Sequence, residues 1–169
     1  DDEHLYALHF DTGKKLWAHR AEVYPETSIY PWWTLDGRAQ VRSVLAADFD
    51  GDGGAEIAIG TGGMQVELVG PDGSLRWRQP VRYGLPVRLL ALKPPAGGPP
   101  ALLAGLDFLA SQSGIFRFRG DGGLETSDAF PSGRQGWDYT GVSAWAVTGA
   151  SRREGAILAV GRSGAFNEV

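Results

Sequence analysis

One pattern recurs three times in this chain and restricts its fold more than any other sequence feature. It consists of a short apolar segment, a polar connection and a second apolar segment ending in glycine, at 44–60, 89–105 and 144–161. From the alanine near the end of the first segment to that glycine, the spacing is 14, 14 and 15 residues. Short apolar runs bounded by turn residues are typical of β-strands, and 25 glycines and 10 prolines provide abundant turns. The sequence therefore predicts an all-β fold made of repeated antiparallel strand pairs.

A second pattern supplies two further strands to each repeat. Segments 5–17 and 66–77 each read as a strand, a tight glycine turn and a strand that carries tryptophan four residues after the glycine, and 115–126 follows more loosely. Together the two patterns give units of four antiparallel strands. The alanines of successive units lie 45 and 55 residues apart, close to the length of a four-stranded propeller blade. We therefore predict a β-propeller of four-stranded antiparallel blades.

The predicted blades divide the chain, which we treat as a single propeller segment over 1–169, into two whole blades and two halves. They are an outer half-blade at 4–20 (its third and fourth strands), a blade at 41–80, a blade at 85–126 and an inner half-blade at 141–169. This is about three blades' worth, whereas propellers typically have about four to eight. We expect a segment of a larger ring, with other blades or protein chains completing it. Association of copies of the chain is the alternative, because unpaired strand edges invite pairing with another chain.

The connection inside the first repeat carries an unusual concentration of acids. Asp48, Asp50, Asp52 and Glu56 occupy its positions 1, 3, 5 and 9. Oxygen ligands that converge in this way suit Ca²⁺, which takes about six to eight of them in flexible geometry, whereas Mg²⁺ prefers to keep several waters. An EF-hand is excluded because position 12, which needs a bidentate acid, is Ile59. A metal-free acidic turn is the alternative, and it leaves the mutual repulsion of four acids unrelieved.

The nine-residue pattern Asp-x-Asp-Gly-Asp-Gly-x-x-Glu, beginning at Asp48, resembles the short calcium loops of FG-GAP, or integrin-α-type, propeller repeats. The resemblance implies that a backbone carbonyl, here that of Gly54, completes the calcium shell. The corresponding connections of the other two repeats, 93–98 and 148–153, lack the acids. We therefore expect one structural calcium site and no second one.

The first strand–turn–strand segment resembles a second kind of propeller repeat. Four residues match the docking motif of PQQ-type, or quinoprotein-like, blades: Ala7, Thr12, Gly13 and Trp17. His9 stands where the motif has aspartate. In that family the tryptophan packs between adjacent blades, so the resemblance implies a structural role for Trp17 and Trp77.

Two long connections outside the repeats are rich in aromatic residues. One contributes Tyr30, Trp32 and Trp33, and the other contributes Arg134, Trp137 and Tyr139. Because both join the last strand of one blade to the first of the next, we expect them on the same face of the disc, opposite the calcium loop. Aromatic side chains beside charged groups can stack on a sugar ring or anchor a protein partner. The alternative is that these loops fold back and cover blade edges.

Composition and the lack of catalytic motifs restrict the classes of function that we expect for this chain. The net charge of −4 argues against nucleic acid as a partner, and no apolar run is long enough to span a membrane. No cysteine is present for a disulfide or a nucleophile, and no nucleophile elbow or P-loop occurs, so we assign no catalytic residues.

The sequence favours a non-catalytic, calcium-binding β-propeller module that serves as a binding or scaffold domain. Because cytosolic calcium is too scarce to fill a weak site, we expect an extracytoplasmic location: secreted, periplasmic or at the cell surface. The alternative is a fragment of an exported propeller enzyme, such as a polysaccharide lyase or a quinoprotein-like protein. Its catalytic residues would then lie outside this segment.

Overall fold

The computed structural model describes residues 3–23, 38–81, 85–94, 97–107, 115–126, 140–147 and 156–163. Within these ranges the chain forms strands and no helix, so the all-β prediction is confirmed. The strands are β1 (His4–Leu8), β2 (Lys15–Arg20), β3 (Val41–Ala47), β4 (Glu56–Thr61), β5 (Gln65–Val69), β6 (Leu75–Pro80), β7 (Leu85–Leu92), β8 (Ala101–Asp107), β9 (Ile115–Phe118), β10 (Leu124–Thr126), β11 (Thr140–Val147) and β12 (Ala156–Ser163).

The strands form two four-stranded antiparallel meanders and two hairpins. The first sheet has the order β3-β4-β5-β6, and the second sheet has the order β10-β9-β8-β7. The two hairpins are β1–β2 and β11–β12. The three copies of the glycine-ending pattern correspond to β3–β4, β7–β8 and β11–β12. The described strands do not close into a ring, so the propeller and its blade boundaries stay a prediction.

The main hydrophobic core lies between the two sheets. β7 of the second sheet contacts β3 and β4 of the first, and β11 in turn contacts β7 and β8. Alternate residues of a strand lie on opposite faces, so each sheet contributes one apolar face to the core. The buried members are Phe49, Ala58, Val66, Leu68, Val81, Leu89, Leu102, Ala104 and Phe118.

Trp17 and Trp77 make the same contact at two successive junctions. The indole N–H of Trp17 on β2 donates to the Pro71 carbonyl over 2.9 Å, and that of Trp77 on β6 donates to the Gly120 carbonyl over 2.7 Å. Each acceptor lies in the turn of the following strand pair, β5–β6 or β9–β10. These contacts place both tryptophans between one set of strands and the next.

Candidate metal site

The acidic loop joins β3 to β4, and backbone amides hold its shape. Asp48 accepts hydrogen bonds from the amides of Gly51 (2.7 Å) and Gly53 (3.1 Å), one on each carboxylate oxygen. Asp50 accepts one from the amide of Asp52 over 3.1 Å. Such short-range bonds from a carboxylate to the backbone are typical of aspartate in turns. They curl the loop around its own carboxylates.

Three of the four predicted acidic ligands come together. Asp48, Asp50 and Glu56 each offer an oxygen, and these oxygens lie within 4.8 Å of one another. Two oxygens bound to one calcium ion at about 2.3–2.6 Å can be at most about 5.2 Å apart, so the group fits around a single ion. The three residues could therefore hold a metal ion.

Glu56 anchors the cluster in the protein interior. It is the first residue of β4, its side chain is only 2% exposed, and it accepts a hydrogen bond from the Phe49 amide over 2.8 Å. Asp48 is half-buried and Asp50 is exposed. The site thus runs from a buried carboxylate outward to solvent, and a cation could reach it from outside.

The other two predicted ligands are placed differently. Asp52 is exposed and lies outside the group of three converging carboxylates, and its Oδ1 accepts a hydrogen bond from the Gly54 amide over 2.6 Å. Gly54 is half-buried beside it. Asp48, Asp50 and Glu56 therefore form the converging group of carboxylates, and Asp52 lies outside it.

The loop is packed against the second sheet. The Phe49 side chain is 1% exposed and belongs to the core between the sheets. Its carbonyl oxygen touches Gly120 in the β9–β10 turn so closely that a Cβ added there would overlap it. A Cβ on Gly51 would likewise contact Pro99 in the β7–β8 connection. Phe49, which lies between the candidate ligands Asp48 and Asp50, is thus fixed by packing between the sheets.

Two aspartates outside the loop have lowered pKa values. The Ser74 hydroxyl, followed by the Ser74 amide, lowers the pKa of Asp72 in the β5–β6 turn. The Gly123 amide, followed by the Arg119 side chain, lowers the pKa of Asp121 in the β9–β10 turn. Both carboxyl groups are therefore ionised at neutral pH without belonging to the metal cluster.

The predicted ligand-binding residues of the two aromatic-rich connections lie outside the described residues. These are Tyr30, Trp32, Trp33, Arg134, Trp137 and Tyr139. Among the described residues, no helix is long and apolar enough to cross a membrane. Neither comparison with models of protein families nor comparison with curated proteins gives a match for this chain.

Sequence reasoning missed a buried polar cluster between hairpin β1–β2 and the first sheet. Glu67 on β5 is 0% exposed and lies 2.6 Å from the His19 ring on β2. Gln65 donates to the same carboxylate over 3.1 Å, and the Arg78 guanidinium lies 3.3 Å from it. Only the alternation of Gln65 and Glu67 with apolar residues on β5 signals a polar face that needs partners.

Proposed function

We propose that this chain is a calcium-binding β-propeller module that acts as an extracytoplasmic binding or scaffold domain. The observation that carries the proposal is the convergence of the Asp48, Asp50 and Glu56 oxygens within 4.8 Å in one loop. All three are oxygen ligands on a short, glycine-rich loop, which is the ligand type that calcium prefers. The ion's role is structural in this proposal, because Phe49 packs the loop on the core between the sheets.

The sheet arrangement supports the propeller. Two four-stranded meanders lie face to face, and their turns receive equivalent tryptophans from the preceding strands. Radial repetition of four-stranded sheets is the architecture of a propeller. The hairpins at either end of the series are the outer and inner halves of further blades in this proposal.

The ligand set supports the proposed extracytoplasmic location. We expect three carboxylates, one of them exposed, to bind calcium weakly, since the affinity of a calcium site depends on its charged ligands and its rigidity. Calcium sites of extracellular modules bind at about 10⁻⁴–10⁻³ M, whereas cytosolic sensors need about 10⁻⁷–10⁻⁵ M. A site of this kind is filled where calcium is plentiful.

Thermal melting in calcium and in EDTA tests the calcium assignment. At calcium about 100-fold above the dissociation constant, binding to the folded state stabilises by about 2.7 kcal/mol. For a chain of this size, that raises the melting temperature by about 5–10 °C. Asp50→Asn should abolish most of the shift. Asp121→Asn, which removes another exposed carboxylate that lies outside the cluster, should leave the shift intact.

Calcium content by elemental analysis and titration calorimetry complete this test. Equal melting in calcium and EDTA, with no calcium bound, would contradict the proposal. The same rise in melting temperature with Mg²⁺ at equal concentration would show that the site binds divalent cations without selecting calcium. Asp52→Asn measures whether the outer aspartate joins the shell once an ion is bound.

A further inference from the structure

The β9–β10 turn of the second sheet touches the acidic loop of the first sheet at the peptide that joins Phe49 to Asp50. A Cβ added to Gly120 in that turn would overlap the Phe49 carbonyl group and would lie 3.5 Å from the amide nitrogen of Asp50. This peptide lies between two of the three converging carboxylates, because Asp48 precedes it and Asp50 contributes to it. The second sheet therefore contacts the backbone of the candidate metal site itself.

Phe49 also links this peptide to the third carboxylate. Its amide donates to Glu56 Oε2 over 2.8 Å. Glu56 Oε1 accepts no hydrogen bond within the part of the chain that the structure describes, although the side chain is only 2% exposed. A buried carboxylate oxygen needs a partner, and a cation held jointly with Asp48 and Asp50 would supply one. A movement of the Phe49 backbone would thus disturb all three candidate ligands.

Trp77 of the first sheet holds the β9–β10 turn against the loop. Its indole N–H donates to the Gly120 carbonyl over 2.7 Å, and a Cβ added to Gly122 would lie 2.8 Å from its ring. The same ring packs on Phe118 of β9, with ring centroids 5.7 Å apart. Gly120 therefore contacts both Trp77 and the peptide between the candidate ligands.

The β5–β6 turn offers an internal comparison. Trp17 donates to the Pro71 carbonyl over 2.9 Å, and a Cβ added to Gly73 would lie 2.8 Å from its ring. The three atoms nearest to that Cβ all belong to the Trp17 ring, and none belongs to the acidic loop. The two turns thus share the tryptophan contact but differ in their contact with the loop.

We propose that Trp77 and Gly120 are positioning residues for the acidic loop, so that calcium binding in the first sheet is coupled to docking of the β9–β10 turn of the second sheet. This coupling rests on the calcium site proposed above. Neither residue offers a carboxylate, so both act on the ion through the Phe49–Asp50 peptide. Because coupling between two sites is reciprocal, bound calcium in turn holds the β9–β10 turn against the loop.

Calorimetric titration with Ca²⁺, at a temperature where every variant is folded, tests the positioning role. Trp77→Phe removes the indole N–H that holds Gly120 and keeps an aromatic ring. We expect a loss of calcium affinity of about fivefold or more, the lower end of typical coupling between sites. Trp17→Phe is the matched control, because it makes the same change at the β5–β6 turn. Its calcium affinity should stay within about twofold of that of the unmodified chain.

Gly120→Ala tests the contact with the loop directly. The added methyl group displaces the Phe49 carbonyl, so we expect a loss of calcium affinity at least as large as in Trp77→Phe. Gly123→Ala is its control, because a Cβ there meets the exposed side chains of Arg119 and Asp121 rather than the backbone of the loop. Melting curves establish that each variant is folded.

Amide exchange in the unmodified chain tests the reciprocal effect without any substitution. The amides of Arg119 and Gly122 close the β9–β10 turn, and those of Gly70 and Gly73 close the β5–β6 turn. Calcium should slow exchange several-fold more in the β9–β10 turn, although the β5–β6 turn belongs to the loop's own sheet. A general gain in stability would slow exchange in both turns equally.

Two results would overturn the positioning role and leave the calcium proposal standing. One is calcium binding in which Trp77→Phe and Gly120→Ala match their controls, and the other is equal slowing of exchange in the two turns. If one variant does not fold, the other variant and the exchange measurement decide. Failure of the unmodified chain to bind calcium would overturn both proposals, and titration of that chain alone identifies this outcome.

Discussion

At the residue scale, three turn glycines share the same left-handed backbone conformation but differ in what surrounds them. Gly13, Gly73 and Gly122 all have positive φ, at 65°, 86° and 84°. At Gly73 and Gly122 an added Cβ would lie 2.8 Å from the indole ring of Trp17 or Trp77, whereas at Gly13 it would meet nothing within 4 Å. All three glycines relieve backbone strain, but only two of them also make room for a tryptophan.

This difference predicts unequal effects of the same substitution. Gly13→Ala should lower the free energy of unfolding by about 1–2 kcal/mol through backbone strain alone. Gly73→Ala should lower it by about 1–3 kcal/mol more, because the Trp17 ring must also move. Urea denaturation followed by tryptophan fluorescence measures both values. Equal losses would show that the indole does not pack on Gly73 in solution.

At the scale of elements, the buried polar cluster fixes hairpin β1–β2 on the first sheet. Glu67 receives His19 from β2, and the amide of Glu22, which follows β2, also donates to it over 3.3 Å. Arg78 connects the same carboxylate to β6. A buried carboxylate is tolerated only when several donors satisfy it. The hairpin is therefore docked by polar contacts at this point as well as by Trp17.

Removing the shared carboxylate should be costly. Glu67→Ala leaves the His19 and Arg78 side chains without their buried partner, and we expect a loss of about 3–5 kcal/mol in unfolding free energy. Glu22→Ala, which removes the exposed ion pair with Arg78 at 2.8 Å, should cost less than about 1 kcal/mol. Chemical denaturation compares the two variants. Similar small losses in both would mean that the cluster does not hold the hairpin.

At the scale of the whole molecule, the two sheets share one core. Leu102 on β8 is 0% exposed and belongs to the cluster that includes Ala58, Val66 and Leu68 of the first sheet. Phe49 enters the same cluster from the acidic loop. Loss of packing in one sheet should therefore destabilise the other sheet and the acidic loop as well.

Leu102→Ala tests this shared core. We expect a loss of about 2–5 kcal/mol from the cavity that it creates, together with faster amide exchange in β4 and β5 as well as in β8. Leu124→Ala, at a residue that is 47% exposed, should change stability by no more than about 0.5 kcal/mol. If faster exchange stayed within β7–β10, the two sheets would be independent units.

The sequence by itself determined the all-β class, the places of the hairpins and the acidic loop. These features are local: apolar runs of strand length, glycine turns and closely spaced acids all act within a few residues. The strands of the described ranges fall where those patterns predict pairing, including the three glycine-ending hairpins.

Only the tertiary structure decided which side chains meet across elements. It brought Asp48, Asp50 and Glu56 together while leaving Asp52 outside, buried Phe49 in the seam between the sheets, and paired His19 with Glu67 across 48 positions of sequence. Contacts of this kind depend on how sheet faces pack on one another. No local pattern encodes that packing, because a strand's own sequence fixes which residues share a face but not what that face will touch.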